Sequence, residues 1–297
     1  MQPDYNSLTA QQTLTAYRHT AFATKDWQNN GLNMQHVFDR SAIPDDLFQP
    51  LAQSTLDANN YNQVILIASA GKSLWQALKL QPDPSPSDLK QNDFLDKRDH
   101  PVDEFSQQQF DCFMATHAAG SDYKIVYPKH QPPFFHLNLQ SFGELAGWHH
   151  SSPFKVGINT DVGSWFAYRL LILANTEFKP SSKVNSQSPC VSCPSSHHDQ
   201  VLDLQTDLTD QSNSNSQLDS YPQSVQQTKP CVKQCPVNAL TDQGDYDWKL
   251  CFNYRKQKHS LCQDRCLARM ACPVAQQHAY TLEQIQYHYN LSRKHLL

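Results

Sequence analysis

Eight of the nine cysteines in this 297-residue chain lie beyond residue 189, at spacings that suit metal ligands. In order they are Cys190-x2-Cys193, Cys231-x3-Cys235-Pro236, Cys251, Cys262-x3-Cys266 and Cys272-Pro273. Thiolates are soft donors, suited to iron–sulfur clusters and to zinc. A C-x2-C turn lets two thiolates reach different metal atoms of one cluster while nearby backbone N–H groups point at its sulfides. Proline after a ligating cysteine sets the exit of the chain and removes a donor that has no role there. Structural zinc also uses C-x2-C pairs. The doubled C-P endings and the x3 spacings favour iron–sulfur chemistry over zinc, and zinc over disulfides.

With residues 194–228 set aside, the first half of the set reads C-x2-C, a short spacer holding Lys229-Pro230, then C-x3-C-P. This is close to the bacterial ferredoxin run, in which three thiolates hold one cube and the fourth crosses to the other. Crossed ligation then assigns Cys190, Cys193, Cys231 and Cys272 to one [4Fe–4S] cluster, and Cys235, Cys251, Cys262 and Cys266 to a second. The chain departs from the pattern in the long insertion and in the x5 gap from Cys266 to Cys272. Cys112, in Asp111-Cys112-Phe113-Met114, is expected to be a buried structural thiol on an apolar helix face.

The totals set the context. Apolar residues make up 39% and charged residues 18%, with a formal charge of −4. No overall basic excess and no basic run interleaved with aromatics is read, so nucleic acid is not an expected partner. Met1–Tyr5 shows no charged region followed by an apolar stretch, so a secretory signal is not expected. The apolar runs Val64–Ala70 and Leu170–Ala174 are too short to span a bilayer. A cytoplasmic protein with no membrane association is expected, and a reducing compartment favours metal ligation over disulfides.

The elements that must carry these residues fall into two parts. Residues 1–60 read as mixed helix and loop, with Thr9–Arg18 helical and a helix starting near Pro44-Asp45-Asp46. Val64–Ala68, Tyr123–Tyr127 and Trp165–Leu173 read as strands, being β-branched or aromatic runs. Helices are expected up to Leu80, over 105–119 and over 139–148, with a Pro- and Asp-rich loop over 81–104. The alternation suggests an α+β or α/β domain over 1–180. Residues 181–297 form the ferredoxin-like part, in which 194–229 is a Ser/Gln/Asp/Asn-rich insertion expected to be disordered. Tyr280–Leu297 is a terminal helix.

Ala146-Gly147-Trp148, Gly157-Ile158-Asn159-Thr160 and Gly163-Ser164-Trp165-Phe166 resemble the stretch that precedes the ferredoxin motif in epoxyqueuosine reductase. Gly163–Arg169, GSWFAYR, also resembles part of the cytosolic vitamin B12-processing proteins. With His100-Pro101-Val102-Asp103 and the WHHSSPF run, the chain is similar to bacterial ferredoxin-like proteins over about residues 100–290. The resemblance implies a nitroreductase-like domain ahead of the two clusters, holding a corrinoid such as cobalamin that the clusters reduce. A flavin is the alternative small-molecule cofactor.

The residues add their own case for such a site. Gly147, Gly157 and Gly163 are three of the eight glycines in the chain and permit close approach of a ligand to the backbone. Trp148 and Trp165 offer faces for a planar macrocycle, with His149 and His150 alongside, and Arg169 offers a cation for a phosphate or propionamide. Each has a plainer reading: core tryptophans, loop histidines, a snorkelling arginine. Glu144 reads as a surface helix residue. Gly71-Lys72-Ser73 is a decoy, since Leu66 stands where a phosphate-binding loop needs glycine. The leading expectation is a redox enzyme fed by an electron-donor protein or small reductant. A plain electron carrier with a docking domain and a zinc-stabilised interaction module are the alternatives.

Overall fold

β2 (Gln63–Ala70) and β4 (Phe166–Ala174) are apolar along most of their length, and they pair side by side at the centre of a four-stranded sheet. The structure is a computed structural model that describes residues 25–54, 57–81, 98–128, 137–193 and 228–294. β1 (Met34–Asp39) and β3 (Tyr123–Tyr127) form the edges, giving the order β1-β2-β4-β3. Every described pairing within the sheet is antiparallel. The sheet therefore has an α+β pattern and not the parallel one of an α/β fold. A helix between two strands requires only that the chain cross a face of the sheet; it does not set the direction of return.

Side chains alternate across the sheet, and both faces are covered. On one face Ile65, Ile67, Leu170 and Ile172 pack with Trp27 of α1 (Lys25–Asn30) and with Leu74, Trp75 and Leu78 of α3 (Ser73–Lys79). Phe105, Phe110 and Met114 of α4 (Pro101–His117) complete that layer. On the other face Val64, Leu66, Leu171 and Leu173 meet Phe48 and Leu51 of α2 (Asp45–Ser54) and Phe142 and Ala146 of α5 (Leu139–Ala146). The result is a helix–sheet–helix sandwich.

Local chemistry explains the helix ends. α4 starts at Pro101, with Asp103 and Glu104 in its first turn, because proline fits the first helical position and acids suit the helix N-terminus. The loop read through residue 104 therefore ends before Pro101. α5 is capped by Asn138, whose Oδ1 accepts from the Ser141 N–H at 3.1 Å, and it ends at Gly147 with φ 80°.

β1 was not read from the sequence. It is short, with Gln35 and His36 breaking the apolar pattern, and it becomes a strand by pairing with β2 from Met34↔Ala68 to Asp39↔Gln63. Two register shifts mark the sheet. One, between Ile67 and Ala68, leaves Arg169 of β4 without a partner across β2; the other lies between Ile125 and Tyr127 of β3. Bulges of this kind bend a strand and re-aim its side chains.

The cysteine half contains the short helices α6 (Pro230–Lys233) and α8 (Leu267–Met270), with the longer α7 (Trp248–Lys256) between them. The terminal helix α9 (Leu282–Lys294) packs back on the sheet half, where Tyr287 lies 5.0 Å from Trp75 and Lys79 pairs with Glu283 at 2.9 Å. That exposed pair contributes less than about 1 kcal/mol, so ring packing carries most of the contact. The helix read over 9–18 lies outside the described residues, as do residues 194–227 of the insertion. Lys229, at the edge of that segment, is pinned through its N–H to Asp242 Oδ1 at 2.8 Å. Among the described residues no helix is long and apolar enough to cross a membrane.

Candidate metal centre

The cysteine half has a core of its own, built from Phe154, Ile158, Ala239, Leu240 and Ala268 together with Cys231, Cys235 and Cys272. Cys190, Cys251 and Cys266 pack against it half-buried. Phe154 and Ile158 come from the loop ahead of β4, so this core is continuous in sequence with the sheet half.

Two groups of thiols emerge. Cys235, Cys251, Cys262 and Cys266 line one cavity with Phe154, Leu240 and other residues. Its volume is about 50 Å³, several times what one water molecule needs. Cys190, Cys193, Cys231 and Cys272 form the other group, in which ionisation of Cys190, Cys193 or Cys272 disfavours ionisation of Cys231. Cys272 is coupled in the same way to Cys190 and Cys193. Among the described residues no three His, Cys, Asp or Glu side chains converge on one point as ligands of a single ion do.

Burial raises the pKa of most of these thiols, because a thiolate loses hydration in the apolar surroundings. Cys231 is pushed up to about 12, first by burial and then by the facing cysteines. Burial also raises Cys190, Cys193, Cys262, Cys266 and Cys272. Backbone N–H groups work in the opposite direction. Those of Val232, Leu267 and Val274 favour the thiolates of Cys231, Cys262 and Cys272. Ala239 N lies 3.3 Å from Cys235 Sγ, and Arg269 N lies 3.5 Å from Cys266 Sγ. This donor set fits an iron–sulfur cluster: buried thiols, main-chain N–H groups aimed at sulfur, and a cavity walled by four cysteines. A bound metal deprotonates a coordinating thiol despite burial, so binding releases protons.

Cys112 is exposed on α4, not buried as its sequence neighbours suggest. Phe113 and Met114 take the inward positions of the helix, and Cys112 falls on the outer side.

The residues read as a cofactor site are mostly engaged within the chain. Gly147 lies against the Val184 carbonyl, where a side chain would collide. Trp148 is buried in the core edge-on to His36, at 5.8 Å. Gly157 packs on the His149 ring, and Gly163 on the Val274 carbonyl. Trp165 is 1% exposed and meets Tyr280 at 5.5 Å. Arg169 is buried, with Nε donating to Ser69 Oγ at 2.7 Å. Its charge reaches Asp103, whose carboxyl is pushed up by burial and drawn back by Arg169. His149 Nδ1 lies 3.1 Å from Tyr168 OH, and His150 Nε2 lies 3.0 Å from Ser186 Oγ. Glu144 is exposed.

Arg269 was not singled out in the sequence, where it is one more cation between two cysteines. In the fold its guanidinium lies over Trp165 at 4.8 Å and Tyr280 at 5.2 Å, and Nε reaches Ser164 Oγ at 3.4 Å. Its charge also favours the Cys272 thiolate. Arg269 thus touches the sheet half, and it bears on Cys266 of one group and Cys272 of the other.

No protein-family model matches the chain, and no curated protein matches it. Solved structures similar to it include epoxyqueuosine reductases. For the one from Streptococcus thermophilus the TM-score is 0.42 at 12% identity, covering 85% of this chain and 65% of that one. A second, solved with an epoxyqueuosine-modified tRNA-Tyr stem loop, gives 0.44 at 12%, covering 93% and 68%. A third, from Bacillus subtilis, gives 0.41 at 12%, covering 92% and 67%. The chain thus spans about two thirds of the length of these proteins. At these TM-scores the likeness carries no argument about the cysteines, whose grouping is seen in the geometry above.

Proposed function

We propose that this chain is an iron–sulfur redox protein. Cys190, Cys193, Cys231 and Cys272 hold one [4Fe–4S] cluster, and Cys235, Cys251, Cys262 and Cys266 hold a second. The observation that carries this reading is the sorting of eight thiols, from segments scattered over more than eighty residues, into two groups that crossed ligation requires. When bound, such clusters supply one-electron transfer at low potential. The chain contributes buried thiols, the N–H donors of Ala239 and Arg269, and an apolar wall of Phe154 and Leu240 that keeps water away.

The resemblance of the 146–169 stretch supports a corrinoid or flavin in the sheet half. Gly147, Trp148, Gly157, Gly163 and Trp165 are taken up by internal contacts, however, and do not by themselves form a cradle for a macrocycle. The same engagement favours a second reading, a carrier whose sheet half docks a redox partner. An organic chromophore released from purified protein argues for the first reading, and its absence for the second.

Anaerobic purification or reconstitution, with iron and sulfide analysis and EPR of the dithionite-reduced protein, tests the cluster assignment. Cys251→Ser is expected to lose about half the iron and one EPR component, whereas Cys112→Ser keeps both. A preparation carrying stoichiometric zinc and refusing iron would overturn the reading.

A further inference from the structure

Resting on the reading just given, we propose that α7 and the turn after it are the docking surface for an acidic redox protein. That partner would deliver electrons to the group formed by Cys235, Cys251, Cys262 and Cys266. Charge is the first observation. Residues 228–294 carry ten Lys and Arg against five Asp and Glu, whereas the whole chain carries 24 against 28. The excess is concentrated. From Trp248 to Gln263 there are four Lys and Arg and no acid, in the run WKLCFNYRKQKHSLCQ. This is a basic run interleaved with aromatics, and it corrects the expectation that the chain has none.

The second observation is what stands exposed beside those charges. Lys249, Lys256, Lys258 and His259 all face solvent. Trp248 is 53% exposed, Leu250 40% and Leu261 62%. The Leu261 N–H donates to Tyr254 OH at 3.3 Å, which folds that turn against α7 and brings Leu261 alongside it. Arg255 is the exception among the cations. Its Nη2 is tied to Ser292 Oγ at 3.0 Å and its guanidinium lies over Tyr289 at 4.8 Å, so it anchors α7 to α9.

Exposed lysines interspersed with exposed apolar side chains along one short segment suit a small protein interface with a charged rim. A single-stranded nucleic acid of the same charge needs successive stacking rings; here Trp248 is the one aromatic among the exposed large apolar side chains, beside the aliphatic Leu250 and Leu261. Position then names the kind of partner. Cys251 lies within α7 and Cys262 follows Leu261, so a protein seated here covers the chain that carries two ligands of this group. Charge complementarity speeds encounter without demanding a large interface, which suits a carrier that must leave after each transfer.

The transfer itself is simple. One electron leaves the anionic flavin hydroquinone of the donor, which becomes the neutral semiquinone, and the cluster passes from its 2+ to its 1+ state. No bond is made or broken.

The test uses the full-length, cluster-loaded chain and an acidic flavodoxin reduced to the hydroquinone, with stopped-flow absorbance following cluster reduction. Wild-type protein should show a second-order rate that falls steeply with salt. The triple variant Lys249→Glu, Lys256→Glu, Lys258→Glu should lose about tenfold or more in that rate, together with most of its salt dependence. Its iron content and its reduction by dithionite should be unchanged, which shows that the variant is folded and loaded. A wild-type rate in the loaded variant overturns the docking surface alone. So does salt-sensitive binding of an RNA hairpin that the variant loses while flavodoxin reduction persists. A chain that takes up no iron overturns the cluster reading, and this proposal with it.

Discussion

Arg269 is the side chain whose role depends most on its neighbours. Its cation bears on Cys272, its N–H meets Cys266 Sγ, and its guanidinium is sandwiched with Trp165 and Tyr280. A fixed positive charge stabilises the more negative, reduced state of a nearby cluster. Arg269→Gln is therefore expected to move cluster midpoint potentials to more negative values in an EPR-monitored titration, with Arg269→Lys close to wild type. Equal potentials in all three would show that the residue only packs. His36 makes a different prediction. It is buried between Phe38 and Trp148, and burial lowers its pKa to about 4. Above pH 6.5 the ring is neutral in both folded and unfolded chains, and its contribution to stability is fully present. As pH falls from 6.5 to about 4 the unfolded chain binds a proton that the folded chain refuses, so stability falls, by about 3 kcal/mol in all. His36→Leu should flatten that part of a stability-against-pH profile measured by denaturant unfolding. An undiminished acid slope in the variant would assign the loss to other groups.

The elements are held in place by a few close approaches. Gly163 adopts φ 62° and lies against the Val274 carbonyl, just past the Cys272-Pro273 exit. Gly163→Ala would add a Cβ at 2.5 Å from that oxygen in a conformation that L residues avoid, so the strand or the exit turn must shift. A loss of about 1–3 kcal/mol is expected, together with looser attachment of the cysteine half, readable as faster hydrogen exchange over 272–280. Wild-type stability would mean that the two segments part freely. At this scale the sequence was legible where an element is locally consistent. β2, β3 and β4 are mainly apolar runs of aliphatic and aromatic side chains, and all three were read within about two residues. α5 and α9 were likewise visible, through helical spacing. β1 was hidden because its strand state comes from its partner and not from its own residues. The bulge at Arg169 was hidden too, since register is a property of two strands.

Across the whole molecule the two halves differ in what holds them. The sheet half has a layer of large apolar side chains on each face. The cysteine half has few, chiefly Phe154, Ile158 and Leu240, and cysteines fill much of the remaining core. On the iron–sulfur reading proposed above, a core of that kind depends on its metal. Stripping the iron with a chelator should therefore expose 228–280 to protease first, while the sheet half survives as a fragment. Equal resistance with and without iron would show that the thiols pack as ordinary core.

The sequence by itself determined the cysteine spacings and the apolar strands, because each follows from residues close together in the chain. It also carried the basic run over α7, although that signal is diluted in a chain of net negative charge. Only the tertiary structure decided the antiparallel sense of the sheet, the outward turn of Cys112, the burial of Trp148 and Trp165, and the seam at Arg269. Each of these depends on which distant segment a residue meets. Such encounters are set by how whole layers pack, and no local pattern encodes them.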